Sequence, residues 1–457
     1  MRWRGAVTVW ALLVVLHCGA CRPAEKGSLR PGTALRLKQR GVEFPVVATQ
    51  SAPQGKRPSD KETWSAIALV AGTTVGAGIL ALPKTTAAPG FVPSSLALVG
   101  VWIFMASSGL LIAETSSSLV KQDPRNKDLG YLGMTDKVLG RFGAVPAGTL
   151  YVFIHYALLV AYIAGAGSIV SEALGLPTVA GPVLFSTVVG AVLAFGSDEQ
   201  VATFNSAWVA VVAASFLGLL ALAVPSVRLE NLSHADWGRV LPALPIMLVA
   251  LVYHNIVPTV SSQLRYDREA VSKAVVVGSG LPLLMFLLWN AVILGMTSPG
   301  SEDVDPLAGL REGAGGPMVG ILVGIFSEAA IITSFTGFVI GLLSFFEDAV
   351  GRRGEAENKG NGNNKVSGRS SLGLYAAVIV PPAAVALLNP KIFDQALEVA
   401  GTYGISLLFG VLPVVLSTLQ LRSSPGSEIY LPGGLASRGV LLALVMGLVG
   451  GKALALF

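Results

Sequence analysis

The sequence predicts an all-α membrane protein with about eleven transmembrane helices, and three observations carry that expectation. Of 457 residues, 53% are hydrophobic and only 13% are charged, with a mean hydropathy of +0.67. A soluble domain carries about a quarter charged residues, so half that share cannot cover a globule of this size with solvated surface. Apolar stretches long enough to cross a bilayer recur along the chain. The 53 glycines suit helices that pack closely in lipid, where small residues let backbones approach. A disordered chain, a nucleic-acid binder and a large soluble enzyme are excluded on composition.

The first element is a leader, residues 1–63, which holds eleven basic and four acidic residues. It carries a charge of +7 and leaves −2 on the 394 residues that follow. The pI near 9.2 therefore describes the leader, and suggests no anionic partner for the body. Arg2 and Arg4 precede an apolar run from Ala6 to Leu16, and Cys18-Gly19-Ala20 offers small residues before a cut. That is the shape of a secretory signal. From Arg22 to Lys61 the chain is basic, poor in acids and without apolar periodicity, as a transit peptide is. The pair resembles the two-part presequence of algae with complex plastids, which would address the protein to a plastid envelope. A plain signal with a disordered tail is the alternative, and would leave the plasma membrane or another endomembrane. Both cysteines, Cys18 and Cys21, lie in the leader, so the body holds no disulfide and no thiolate metal site.

About 20 apolar residues cross a bilayer. The candidate spans are Trp64–Pro83, Val92–Val120, Gly148–Leu174, Gly181–Phe195, Phe204–Val224, Leu241–Val260, Ala274–Met296, Pro317–Phe346, Leu372–Leu388, Ala396–Leu421 and Leu435–Phe457. The fourth is short, so the count is open by one. Nothing between them is long enough for a soluble domain, and residues 64–457 form one transmembrane unit. Basic residues set orientation. Lys121, Arg125, Lys127, Lys137, Arg141, Arg265, Arg268, Lys273, Arg352, Arg353, Lys359, Lys365, Arg369, Arg422 and Arg438 fall on one side, against Lys84, Arg228, Arg239, Arg311 and Lys391. Fifteen against five places the N-terminus inside. The Gly/Asn-rich loop Gly354–Ser371 is then an inner, low-complexity loop.

Two spans carry helix-breaking sequence at mid-membrane. The first reads Ala71-Gly72-Thr73-Thr74-Val75-Gly76-Ala77-Gly78-Ile79, and each Gly costs about 1 kcal/mol relative to Ala in a helix. Lipid cannot satisfy freed backbone groups, so irregular backbone at this depth must face protein or a water-filled cavity. Either the segment is unwound and its N–H and C=O groups hold a ligand, or Gly72 and Gly76 form a packing seam. The sixth span reads Tyr253-His254-Asn255-Ile256-Val257-Pro258, where Pro258 removes a helical hydrogen bond. Spans one and six correspond in two five-helix halves, and paired interruptions there point to a transporter binding site.

Among other intramembrane ionisable groups, Glu328 lies inside the eighth span beside Ser327, with Thr333 and Ser334 one to two turns on. A carboxylate at that depth marks a proton or ion path by default; the alternative is a Glu bonded to a neighbouring helix. Glu114 falls near the end of the second span, where a structural role is expected. His155, on the apolar third span with Tyr156 and Tyr162, reads as a core residue.

These residues are familiar together. Ala71–Pro83 with Ala88–Phe91, Ala161–Gly167, Tyr253-His254-Asn255 with Val257-Pro258, Gly278–Pro282, Thr333-Ser334-Phe335 with Gly341-Leu342, and Pro381-Pro382-Ala383 occur in order over about residues 64 to 421. In this the chain resembles the aromatic amino acid permease family of the amino acid–polyamine–organocation superfamily. The resemblance implies a leucine-transporter-type 5+5 inverted repeat with interrupted helices 1 and 6 and an added eleventh helix. It also implies uptake of tyrosine or tryptophan by symport with protons. Carried over by position, Thr73, Thr74, Gly76 and Gly78 would receive the substrate's amino and carboxylate groups, and Tyr253, His254 and Asn255 would line the opposite wall. Glu328 would handle the proton, while Thr333 and Ser334 fall near the ion site of sodium-coupled relatives. One departure bears on coupling: bacterial members carry a Lys on the fifth span, and Phe204–Val224 has no charged residue.

The expected partners are an amino acid substrate, protons or sodium, and the lipid bilayer, with no cofactor, metal, catalytic residue or nucleic acid; oligomeric state stays open. A carrier of another small neutral solute and an amino-acid sensor on the same scaffold are the competing readings. The short inner loops disfavour the sensor, which would need a signalling domain.

Overall fold

The computed structural model describes residues 57–76, 78–297, 316–349, 368–389, 392–423 and 429–454. The leader up to residue 56 and the inner loop 350–367 lie outside the described residues, as do the expectations that fall on them. All regular structure among the described residues is helical. Eight helices are long and apolar enough to cross a membrane, and a bent pair at the start brings the number to nine. Two shorter apolar helices, Ala180–Phe195 and Leu372–Leu388, coincide with the fourth and ninth expected spans.

The first span begins at Asp60, four residues before expected. Ser59 accepts from the Glu62 backbone and Glu62 reaches back to the Ser59 backbone, a capping box that satisfies two orphan N–H groups. The helix Asp60–Thr74 ends where Val75 turns extended (φ −75°, ψ 104°). A second helix, Gly78–Ala87, follows at an angle of 58°. The sixth span divides into Val240–Ala250, a short 3-10 turn His254–Ile256, and Val257–Gln263. Pro258 sits in the first turn of that last helix, where its missing N–H would be unsatisfied anyway. The break therefore precedes the proline, at Leu251–Tyr253. The third span continues a helix Tyr131–Leu174 that is kinked at Gly140, whose φ of 65° suits glycine.

The packing of helices repeats with a period of five spans. The first span packs on the seventh and, correspondingly, the sixth on the second; the eighth packs on the fifth and the third on the tenth. Third-on-fourth likewise matches eighth-on-ninth, and third-on-ninth matches eighth-on-fourth. Loops expected inside meet at one end: Arg265 pairs with Glu62 at 2.6 Å, and the Tyr266 hydroxyl donates to the Lys127 carbonyl at 2.6 Å. Loops expected outside meet elsewhere. Lys84 pairs with Asp394 at 2.5 Å, the Asp236 N–H donates to the Pro89 carbonyl, and the Asn231 amide donates to the Gly295 carbonyl.

One charge is corrected. Arg438 is not in an inner loop: it lies inside the helix Gly434–Leu454, is 1% exposed, and pairs with Glu114. Without it, fourteen basic residues fall on the expected inner side against five.

Candidate functional site

The two breaks touch. A Cβ on Gly78 would fall 2.7 Å from the Ala250 Cα and 3.1 Å from its backbone nitrogen. The second half of the first span thus begins against the backbone that closes the first half of the sixth. A Cβ on Gly76 would fall 2.6 Å from the Ser334 Oγ, so the unwound segment lies directly on the eighth span. Gly72, by contrast, is exposed, and an added Cβ there meets nothing within 4 Å. Close approach uses Gly76 and Gly78, and the proposed Gly72–Gly76 seam does not form.

The threonines beside the break spend their hydroxyls on their own helix. Thr73 Oγ1 donates to the Leu69 carbonyl at 2.8 Å and Thr74 Oγ1 to the Val70 carbonyl at 2.7 Å. Thr73 is exposed and Thr74 buried. Back-bonding of this kind weakens the last turn of a helix, which helps end it at Val75.

Tyr253 and His254 turn toward the second and tenth spans. Both are fully buried, and both approach the Met105 carbonyl, the Tyr253 hydroxyl at 3.3 Å and His254 Nε2 at 3.1 Å. A carbonyl only accepts, so the His254 proton is assigned to Nε2. Its Nδ1 is enclosed without a partner. The imidazole stacks between the Tyr253 ring at 4.7 Å and the Phe409 ring at 5.1 Å. Gly109 makes room for Tyr253, since a Cβ there would lie 2.7 Å from its hydroxyl. Asn255 is exposed.

On the eighth span, Glu328 is half-buried, with Oε2 enclosed and without a hydrogen-bond partner. The neighbouring Ser327 hydroxyl and the Thr336 hydroxyl two turns on share that condition. Thr333 Oγ1 donates to the Ala330 carbonyl at 3.0 Å. Ser334 lies beside the buried Tyr162 of the third span. Ser334 thus has Gly76 on one neighbouring span and Tyr162 on another, and the Tyr162 ring meets Phe338 edge-on at 5.7 Å.

Sequence reasoning left Tyr162 without a role, and two further supports unmentioned. Trp289 of the seventh span is fully buried against Phe216 and Phe326, and its Nε1 donates to the Ile79 carbonyl at 3.1 Å, just past the break. The tenth span winds as a π-helix over Ala400–Val411, with Gly401 against the Pro245 carbonyl of the sixth. A π-helical turn often marks a functional site. His155 is a packing residue: its Nδ1 meets the Tyr151 carbonyl at 2.8 Å and its ring lies among Tyr151 and Phe338.

This pair of touching breaks belongs to a known architecture. The fold matches that of MhsT, solved in complex with L-phenylalanine, with a TM-score of 0.61 at 15% identity over 87% of this chain and 100% of that one. A match to the tryptophan/tyrosine permease family runs over residues 59–452. The chain belongs to the tryptophan/tyrosine permease family. Tyrosine-specific transport system 2 of Haemophilus influenzae is 31% identical over 409 residues, covering 85% of this chain and 95% of that protein. The tryptophan-specific transport protein of the same organism is 26% identical over 399 residues, 80% of this chain and 89% of that protein. As a member of this permease family the chain is a multi-pass membrane transport protein, not an enzyme.

Proposed function

We propose that this permease moves tyrosine or tryptophan across its membrane by alternating access, in symport with protons. The observation that carries the reading is the meeting of the two breaks, Gly78 on Ala250, beside the contact of Gly76 with Ser334 of the eighth span, in a chain whose relatives are named as carriers of these amino acids. The break leaves backbone groups of the first span without helical partners, and the second half-helix starts there with its positive dipole end. Both favour a substrate carboxylate. In this reading Thr73, Thr74, Gly76 and Gly78 receive the amino and carboxylate groups, while Tyr253, His254 and Asn255 shape the far wall. The two aromatic partners do so from behind, since they bond to Met105.

Glu328 is the proposed proton carrier, with Thr333 and Ser334 beside the ion path. An ionised carboxyl enclosed without a partner is costly, so exchange of its proton is tied to water reaching it from one side at a time. Sodium is the alternative driving ion, and the uncharged fifth span is the reason to test it. The two-part leader supports a plastid envelope as the address; a fluorescent fusion of residues 1–63 that stays in the secretory system overturns that.

Reconstituted uptake of a panel of amino acids, at two pH values and with or without sodium, tests the whole reading. Tyrosine or tryptophan accumulation that follows an imposed proton gradient is expected. Binding of labelled tyrosine without counterflow would mean a sensor instead.

A further inference from the structure

At the end of the bundle where the inner loops meet, a run of buried polar contacts lies outside the proposed transport site. Arg438 of the eleventh helix and Glu114 of the second span are 1% and 2% exposed. Arg438 Nη2 donates to Glu114 Oε1, and its Nε to the Ser417 Oγ of the tenth span at 2.9 Å. The Ser417 hydroxyl donates to the same carboxyl at 2.8 Å. The other carboxyl oxygen accepts the Tyr430 backbone N–H at 3.1 Å. Tyr430, itself 3% exposed, donates its hydroxyl to the Tyr266 carbonyl at 3.0 Å, immediately past the sixth span.

The receiving end is strained. Arg265 and Tyr266 have φ of 53° and 59°, a left-handed pair without glycine, which persists only where its surroundings hold it. What holds it is visible: Arg265 grips Glu62 of the first span, Tyr266 bonds to Lys127, and Tyr430 bonds to the Tyr266 carbonyl. A buried ion pair stabilises a fold little compared with apolar residues of the same volume. Its geometric effect here is specific, because it fixes the backbone of Tyr430 and so aims the hydroxyl.

We propose that Arg438, Glu114 and Tyr430 form a strut through which the eleventh helix holds the inner ends of the sixth and first spans shut. Tyr430 is a positioning residue in this device, and touches no substrate. The inference rests on the alternating-access reading: inward opening must part Tyr430 from Tyr266, while the ion pair stays intact. The strained turn then relaxes, which favours completion of the opening.

Replacing Cys18 and Cys21 by serine leaves a chain without cysteine, and single reporters can then be introduced. Ser261, fully buried on the last part of the sixth span, becomes an inner reporter as Ser261→Cys. Leu98, fully buried on the second span, serves as a control as Leu98→Cys. Thiol labelling is measured in proteoliposomes of the full chain, with the inner face accessible. Losing one hydrogen bond shifts an equilibrium about five-fold, so Tyr430→Phe is expected to raise labelling at Ser261→Cys by about that factor and leave Leu98→Cys unchanged. Glu114→Gln combined with Arg438→Gln, which leaves no bare charge, is expected to act alike. Unchanged or slower labelling at Ser261→Cys overturns the strut, and an equal rise at both reporters, the mark of general loosening, overturns it too. If the parent shows no counterflow of amino acids yet labelling responds as expected, the transport reading fails and the strut stands.

Discussion

Gly76→Ala tests the site most directly, because the structure states both the damage and its repair. The added Cβ would lie 2.6 Å from the Ser334 Oγ, while the next atom, the Ser334 Cβ, is 3.7 Å away. The first distance is inside any normal contact and the second is ordinary packing. The hydroxyl sits beside the buried Tyr162, so it has little room to turn away. Overpacking of this kind costs about 1–3 kcal/mol, and Ala regains up to about 1 kcal/mol of backbone entropy lost by Gly. A net penalty of about 1–2 kcal/mol weakens binding by about five- to thirty-fold. Ser334→Ala removes the clashing atom, so in Gly76→Ala/Ser334→Ala the penalty of the glycine change should largely vanish. Equilibrium binding of labelled tyrosine to the four proteins closes a double-mutant cycle, with a coupling of about 1–2 kcal/mol expected. If the double variant binds no better than the product of the two single losses, the unwound segment does not rest on Ser334 and the site geometry is wrong.

Other expectations follow from single contacts. Glu328→Gln should bind tyrosine yet fail to concentrate it under an inward proton gradient; undiminished accumulation in proteoliposomes removes Glu328 from the coupling path. Trp289→Phe leaves the Ile79 carbonyl buried and unpaired, a loss of about 1–3 kcal/mol, which should lower the melting temperature in detergent by several degrees. Arg438→Ala alone leaves Glu114 charged and buried, at about 3–5 kcal/mol, and should reduce the folded yield far more than Glu114→Gln/Arg438→Gln does. Asn231-Leu232-Ser233 has the form of a glycan acceptor but should carry no glycan, because the Asn231 amide nitrogen is bonded to Gly295 at 2.9 Å and half-buried. A mobility shift lost on Asn231→Gln in a glycosylating host would falsify this.

Much of the fold was legible because lipid enforces simple rules. Apolar length located the spans, and the clustering of Gly72, Gly76 and Gly78 located a break, since a helix former at mid-membrane is replaced only at a cost. The same rules could not say which glycine meets what. Gly72 looks identical to Gly76 in one dimension, and only the eighth span's position separates them. Pro258 drew the sixth break toward itself, whereas the backbone leaves the helix several residues earlier and the proline merely starts the next one.

Pairing was invisible for a related reason. Arg438 read as a loop charge because it stands near a helix start, and its partner Glu114 lies 324 positions away in the chain. Tyr162 and Trp289 carry no local signal, since aromatic residues on apolar helices are ordinary until the atom at their polar tip is known. Hydropathy, charge bias and breaking residues act along the chain, and by themselves they determined a multi-pass membrane protein with two interrupted helices, to which the resemblance of its motifs added the permease family. The contacts of Gly76 with Ser334, Trp289 with Ile79 and Arg438 with Glu114 are made between spans. Only the tertiary structure decided those, because helix rotation and depth are set by neighbours that the local sequence does not encode.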